Sequence, residues 1–223
     1  MTTKDLTDLL QRLSRVDACA VSDALDKLGL AGAVSGLQRC STDRRISGRV
    51  ITVKLERDDG RPAASRHQST AAVDGAAPGE IIVIEQRTGI DAAGWGGNLS
   101  LGAKLAGVAG VIVEGSTRDV DEARSYDFPV FARTHTTRTA RGRIVEVGTN
   151  VPIVVGDVEV APGDYVVADG SGVVFVKQAD LDRVLAAAEA IAERERTMVI
   201  ALKDGMRMSQ VMDRTYETML KKP

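Results

Sequence analysis

Apolar residues at Leu6, Leu9, Leu10, Leu13 and Val16 recur at three- and four-residue intervals, the spacing that lines one face of a helix. Thr2 and Asp5 form a candidate capping pair at its start. The stretch ACAVSDALDKLG (18–29) predicts a second helix, ended by Gly29. SGRVITVKLE (47–56) reads as a strand. Positions 57–79 turn polar, with SRHQST leading into a short alanine-rich helix over 70–76. Pro78-Gly79 then turns the chain into the strand EIIVIE, 80–85. A glycine-rich loop, a helix over 99–106 and the strand GVIVEG follow. Strand, helix and strand in that order predict a right-handed crossover between parallel strands. FPVFAR is another short strand. From 142 the chain is mostly strand and turn, as in GRIVEVG and VPIVVGDVEVAPGDYVVADGSGVVFVK. A long helix, QADLDRVLAAAEAIAERERTM (178–198), precedes the tail VMDRTYETMLKKP. The sum is an α/β fold with a mixed sheet and helices at both ends, one domain over 1–200. Residues 201–223 are expected to form an arm lying on a neighbouring subunit.

Composition narrows the function. The 223 residues carry 29 Lys and Arg against 31 Asp and Glu, a net charge of -2, so no global field recruits nucleic acid. Aromatics are only 3%, which argues against base stacking on RNA, while 22 glycines beside abundant Val and Ala favour strands and close packing. Cys19 and Cys40 lack any CxxC pattern and read as reduced thiols of a cytoplasmic protein. The charged amphipathic start lacks a secretion-signal core, and no apolar run approaches the ~18 residues of a membrane span. With two histidines and scattered cysteines, zinc is not expected.

Two features carry candidate chemistry. The segment GIDAAGWGGNLS (89–100) lies between a strand and a helix, where free amides can grip an anion. Asn98 is the expected N-cap, with the amides of Leu99 and Ser100 pointing outward. The same pattern also suits a plain packing turn. A dinucleotide fingerprint starting at Gly94 would need a small residue where Leu99 stands, and no Gly-Lys-Ser/Thr follows for a phosphate loop. Arg118 and Asp119 follow the end of GVIVEGST, where α/β sheets place ligands. Alone, such a pair is often a surface salt bridge. Twenty residues separate Gly97 from Arg118, and the helix between them returns the chain so that both ends meet in one cleft.

These residues, GWGGNLS…GVAGVIVEGSTRDVDE…FPVFAR with VAPGDYVVADGSGVVFV, resemble the RraA-like family over nearly the whole chain, from 22 to about 200. That family includes divalent-metal-dependent 4-hydroxy-4-methyl-2-oxoglutarate / 4-carboxy-4-hydroxy-2-oxoadipate aldolases and a bacterial regulator of ribonuclease activity. The resemblance implies a swivelling β/β/α-type fold, assembled as a trimer or dimer of trimers with the active site at a subunit interface. It implies that Arg118 binds a pyruvyl group and that Asp119 holds Mg²⁺ or Mn²⁺ with waters. The amides of Asn98, Leu99 and Ser100 would hold the carboxylate, and Glu195 would reach in from a neighbouring subunit. The regulator branch tends to lack the metal aspartate, so Asp119 points to the enzymatic branch. The chemistry agrees: a hard cation suits one carboxylate plus waters and an α-keto acid, and arginine suits planar oxyanions.

One departure stands out. The aldolases carry an aspartate where this chain has Gly97. Retro-aldol cleavage needs a base for the hydroxyl proton, whereas decarboxylation of oxaloacetate needs only an electron sink and a later proton. Gly97 therefore tilts the expectation toward β-keto acid decarboxylation. His67 is either a loop residue or a proton source near the cleft. His135 sits among Arg133, Arg138, Arg141 and Arg143, a run that reads as a solvated face, an oligomer contact, or a contact to an anionic substrate or RNA. Asp23 either caps the second helix or lines the site, and Asp169 reads as a turn former. The expectation is a metal-dependent lyase releasing pyruvate from an α-keto acid with a second carboxylate. The rivals are a non-catalytic protein masking a ribonuclease and a lyase of specialised metabolism with another substrate.

Overall fold

The computed structural model describes residues 3–60 and 66–212, so Thr2 of the expected capping pair and positions 213–223 of the expected arm lie outside the described residues. The chain opens with α1 (Thr3–Leu13) and α2 (Ala18–Leu28), then the short strands β1 (Ala33–Val34) and β2 (Gln38–Arg39). The long β3 (Ile46–Arg57), α3 (Thr70–Gly75) and β4 (Ile81–Gln86) follow. Next come β5 (Ala93–Trp95), α4 (Gly97–Leu105), β6 (Gly110–Thr117), α5 (Val120–Ser125) and β7 (Val130–His135). Strands β8 (Ile144–Thr149), β9 (Ile153–Val155), β10 (Val158–Val160), β11 (Tyr165–Ala168) and β12 (Val173–Val176) complete the sheets. Helix α6 (Leu181–Lys203) passes through position 200 without a break, and α7 (Met208–Val211) follows it.

The main sheet runs β1-β12-β11-β3-β4-β6-β7-β2, with β5 added to β6 and β8 to β3. Pairings β3–β4, β4–β6 and β6–β7 are parallel, and those of β11 with β3 and β12 are antiparallel. The sheet is thus mixed and curls into a half-barrel with flanking helices. The expected crossover is the β4–α4–β6 unit.

The first four residues of β4, 81–84, are an unbroken apolar run because both faces of the strand are covered there, as parallel strands require. Ile82, Ile84, Val111 and Val113 pack with α3, α4 and α5, whereas Ile81, Val83 and Ile112 pack with β9 to β12. The two-residue period of a strand divides adjacent residues between these two cores. A third core joins α1, α2 and α6 to the outer face of β11 and β12, through Leu13, Val21, Leu25, Val184 and Leu185. Asp17, not Asp23, caps α2: its Oδ1 accepts from the Ala20 amide at 2.8 Å, and Gly29 ends the helix with φ 67°. Asp169 does form a turn, accepting from the Ser171 amide, and its other oxygen accepts from the Ala18 amide. Cys19 and Cys40 are free thiols, and no helix among the described residues is long and apolar enough to cross a membrane.

Candidate active site

The C-terminal ends of β5 and β6, the start of α4 and the loop before α3 surround a cavity of about 380 Å³. Its walls include His67, Gln68, Trp95, Gly96, Gly97, Asn98, Leu99, Arg118, Asp119 and Arg141. Sheet ends of this kind leave strand-to-helix turns free to carry ligand groups.

The glycines of the turn are explained by what presses on them. Gly96 is the N-cap of α4 and Gly97 its first residue, so Asn98, the expected cap, lies inside the first turn. A Cβ on Gly96 would stand 2.9 Å from Asp119 Oδ2, and one on Gly97 only 1.8 Å from Glu122 Oε2. Side chains at either position would displace acidic groups from the turn.

Ser100 takes a different part from the one expected. Its amide donates to Gly96 O at 3.0 Å, so it is not free for a ligand. Its hydroxyl accepts from Trp95 Nε1 at 2.8 Å and donates to Gly96 O at 3.1 Å. Ser100 is fully buried and locks the turn. Trp95, itself buried, stacks on Phe128 with centroids 6.3 Å apart. The first turn of a helix has no acceptor within the helix for its leading amides, which leaves those of Asn98 and Leu99 at the cavity wall.

Arg118 is placed by its own amide, which donates to Trp95 O at 3.1 Å. Asp119 caps α5 in the left-handed region at φ 57°, a conformation aspartate tolerates better than most residues. There its Oδ2 accepts from the Gly97 amide at 3.0 Å and from Arg118 Nε at 3.2 Å. The pair therefore ties β6 and α5 to the start of α4, and among the described residues the terminal guanidinium nitrogens of Arg118 keep no partner.

The loop before α3 forms another wall. Gln68 Nε2 donates to Gly94 O at 3.1 Å. Ser69 is buried with φ 64°, its amide bound to Glu146 Oε2. Two non-glycine residues with positive φ thus flank the cavity, the kind of strain that a rigid surround maintains. Burial, then the charges of Arg141 and Arg118, lower the pKa of His67 against a weaker opposing pull from Glu146, which favours the neutral imidazole.

The arginine run does not act as one surface. Arg133 pairs with the buried Glu114 at 2.8 Å, Arg138 with Asp91 at 3.2 Å, and Arg143 donates to Thr139 O. Arg141 faces the cavity, and among the described residues no carboxylate pairs with it. Asp23 and Glu195 do not line this cavity. They sit with Asp17 on the α2–α6 face, where burial first and acidic neighbours second raise the pKa of both.

Sequence reasoning missed Glu122 and the separate standing of Arg141. The signal for Glu122 is its place three residues after Asp119, which puts both carboxylates over the same end of α4.

A family model described as RraA-like, Aldolase/RraA, matches residues 18–175. The chain is 28% identical over 214 residues to Protein DlpA of Legionella pneumophila, covering 95% of this chain and 34% of that protein, so it spans about a third of DlpA. It is 29% identical over 201 residues to a Halalkalibacterium halodurans protein named "Putative 4-hydroxy-4-methyl-2-oxoglutarate aldolase", with 89% and 90% of the two chains covered. A crystal structure of an uncharacterized protein from Pseudomonas syringae superposes with a TM-score of 0.83 at 27% identity, covering 93% of this chain and 98% of that one. A strand-end Arg-Asp pair, a glycine turn and a curled mixed sheet therefore have one common source: this chain belongs to the RraA-like family.

Proposed function

We propose that this protein is a divalent-metal-dependent lyase that cleaves a carbon–carbon bond of an α-keto acid bearing a second carboxylate and releases pyruvate. The observation that carries the reading is the convergence of Arg118, Asp119 and the free amides of Asn98 and Leu99 on one cavity. The name of the Halalkalibacterium relative supports it.

The residues fit a hard cation. Asp119 spends Oδ2 on the protein, and among the described residues Oδ1 has no partner. Among the described residues no three His, Cys, Asp or Glu side chains cluster as a metal cage. One carboxylate completed by waters and substrate oxygens is a donor set for Mg²⁺ or Mn²⁺, not for structural zinc. When bound, such an ion polarises the keto oxygen as a Lewis acid.

The chain's own groups do the rest. The amides of Asn98 and Leu99 hold the substrate's C1 carboxylate at the start of α4. Arg118, held through Nε by Asp119, turns its remaining donors to the oxygen on which negative charge grows as the bond breaks. Arg141, with no acidic partner, suits the second carboxylate, and His67 stands close enough to feel both arginines. Burial first, then Asp17 and Asp23, raise the pKa of Glu195, a cost that a cation from another copy would relieve. We propose a homo-oligomer, a trimer or dimer of trimers, in which Glu195 of the partner subunit meets the cations of this cavity.

Pyruvate release from oxaloacetate and from 4-hydroxy-4-methyl-2-oxoglutarate tests the reading. Turnover should stop with a chelator and return with Mg²⁺ or Mn²⁺. Asp119→Ala should abolish it, and Arg118→Ala should lower kcat by about 10²–10³-fold. A wild-type protein without turnover on any keto acid, in a stable complex with a ribonuclease, would establish the regulatory alternative instead.

A further inference from the structure

The cavity has two ends of different character. At one, Arg118, Asp119 and the leading amides of α4 supply charge and donors. The other lies between α3 and α4, one helical turn and roughly 5 Å further along α4. Val73, Leu99 and Gly102 line it, with Thr70 and Asp74 from the same face of α3 as Val73. The Thr70 hydroxyl is spent on His67 O at 2.7 Å. Among the described residues, Asp74 is the one charged group that α3 and α4 bring to the cavity, so a carboxylate is repelled from this end. Val73 and Leu99 belong to the apolar packing of the core and offer a hydrocarbon surface instead. Gly102 keeps the end open. It lies inside α4, where glycine is less stable than alanine, and it has no positive φ that would call for it. Packing does not call for it either: beyond its own helix backbone, an added Cβ would meet only Val73 Cγ1, at an ordinary 3.9 Å. The missing side chain enlarges the cavity and serves no other contact among the described residues.

We propose that this end is an alkyl subsite, and that the substrate's part beyond the pyruvyl group carries an unbranched apolar chain of two or more carbons. This rests on the lyase reading above and specifies its substrate class as 4-hydroxy-4-alkyl-2-oxo diacids. With C1 at the amides of Asn98 and Leu99, a chain on C4 runs along α4 to Gly102, between Val73 and Leu99. The second carboxylate, kept away by Asp74, turns to Arg141. Cleavage between C3 and C4 then balances without oxidant or reductant. The C4 hydroxyl loses its proton and its O–H electron pair becomes the second bond of a carbonyl. The electron pair of the broken bond stays on the pyruvyl fragment, which takes up a proton at C3. The products are pyruvate and a 2-oxo acid that keeps the alkyl chain.

The test compares Mg²⁺-loaded wild type, Gly102→Ala and Gly102→Leu on 4-hydroxy-4-methyl-2-oxoglutarate and its 4-propyl analogue, with oxaloacetate as a third substrate. Wild type should favour the propyl compound in kcat/KM by about tenfold or more, within the range that methylenes contribute in an apolar pocket. Gly102→Ala, which removes a helical glycine, should be at least as stable to heat as wild type and should lower that preference several-fold. Gly102→Leu should abolish it. A wild type that cleaves the methyl compound as well as the propyl one, or a preference unchanged in both variants, overturns the subsite while turnover leaves the lyase reading standing. Turnover of oxaloacetate alone does the same. Wild type inert on all three substrates overturns the lyase reading and this assignment with it.

Discussion

At the scale of single residues, the site is governed by what glycine leaves out. Gly97 has an ordinary helical role and no positive φ, so its need is for space rather than for backbone freedom. An added methyl would meet the far end of Glu122, an exposed side chain that can swing away. Gly97→Ala should therefore fold normally, with stability unchanged or raised by the roughly 0.4–1 kcal/mol that glycine replacement gives at a tolerant position. Lyase turnover should nonetheless fall about tenfold or more, because the added Cβ also crowds Asp119, whose Cβ stands 3.2 Å away. Thermal denaturation beside steady-state kinetics separates the two effects. A variant that is both stable and fully active would show that the contact with Asp119 is idle. Gly48 offers the contrast, since its added Cβ would stand 2.4 Å from the backbone oxygen of Gly79, which cannot yield so easily.

At the scale of elements, what the sequence made legible follows burial. β4 and β6 were readable because continuous apolar runs bounded by Pro-Gly or glycine suit strands covered on both faces. β1, β2 and β5 were not, because two or three residues carry no period. They exist through their partners, as Ala33 opposite Val174, Gln38 opposite Ala132 and Ala93 opposite Ser116 show. The terminal helices were legible by their stripes, but not the clamp between them. Arg12 on α1 donates through Nε and Nη2 to the two carboxylate oxygens of Glu189 on α6, both at 2.9 Å. This hydrogen-bonded guanidinium lowers the pKa of Glu189 against the cost of its burial. A carboxylate whose folded pKa is depressed contributes stability above its unfolded pKa and loses it as pH falls through the folded value. Glu189→Gln should thus lower stability near neutral pH by only about 0.5–1 kcal/mol, since the pair is partly solvated. The difference from wild type should shrink as pH falls below the ordinary glutamate value of about 4.3 and vanish only below the depressed folded value, where both chains carry a neutral group. Urea midpoints across that range check it, and a difference independent of pH would assign the effect to packing instead.

At the scale of the whole molecule, the remaining site residues divide by face. Arg118 and Asp119 were legible because they stand at a strand end that the crossover aims at the glycine turn. Glu122 and Arg141 were hidden, since their meaning depends on pairings across elements: Glu122 over Gly97, and Arg141 left over once Arg133 and Arg138 have taken Glu114 and Asp91. Glu195 and Asp23 gather on the α2–α6 face and do not line their own chain's cavity, and burial there raises the pKa of both. In the proposed assembly that strain is relieved against the arginines of another copy, so each site draws on two chains. Subunit mixing tests this directly. Asp119→Ala and Glu195→Ala should each be inactive as pure assemblies. When unfolded together and refolded as mixtures, some interfaces pair an intact Arg118–Asp119 cavity with an intact Glu195 of the partner subunit. Those interfaces should regain turnover, reaching about a quarter of the wild-type rate in an equal random mixture if every interface acts alone. A mixture as inactive as its parents, in particles shown by mass to be mixed, would place Glu195 outside the site and return the acidic face to a purely structural role.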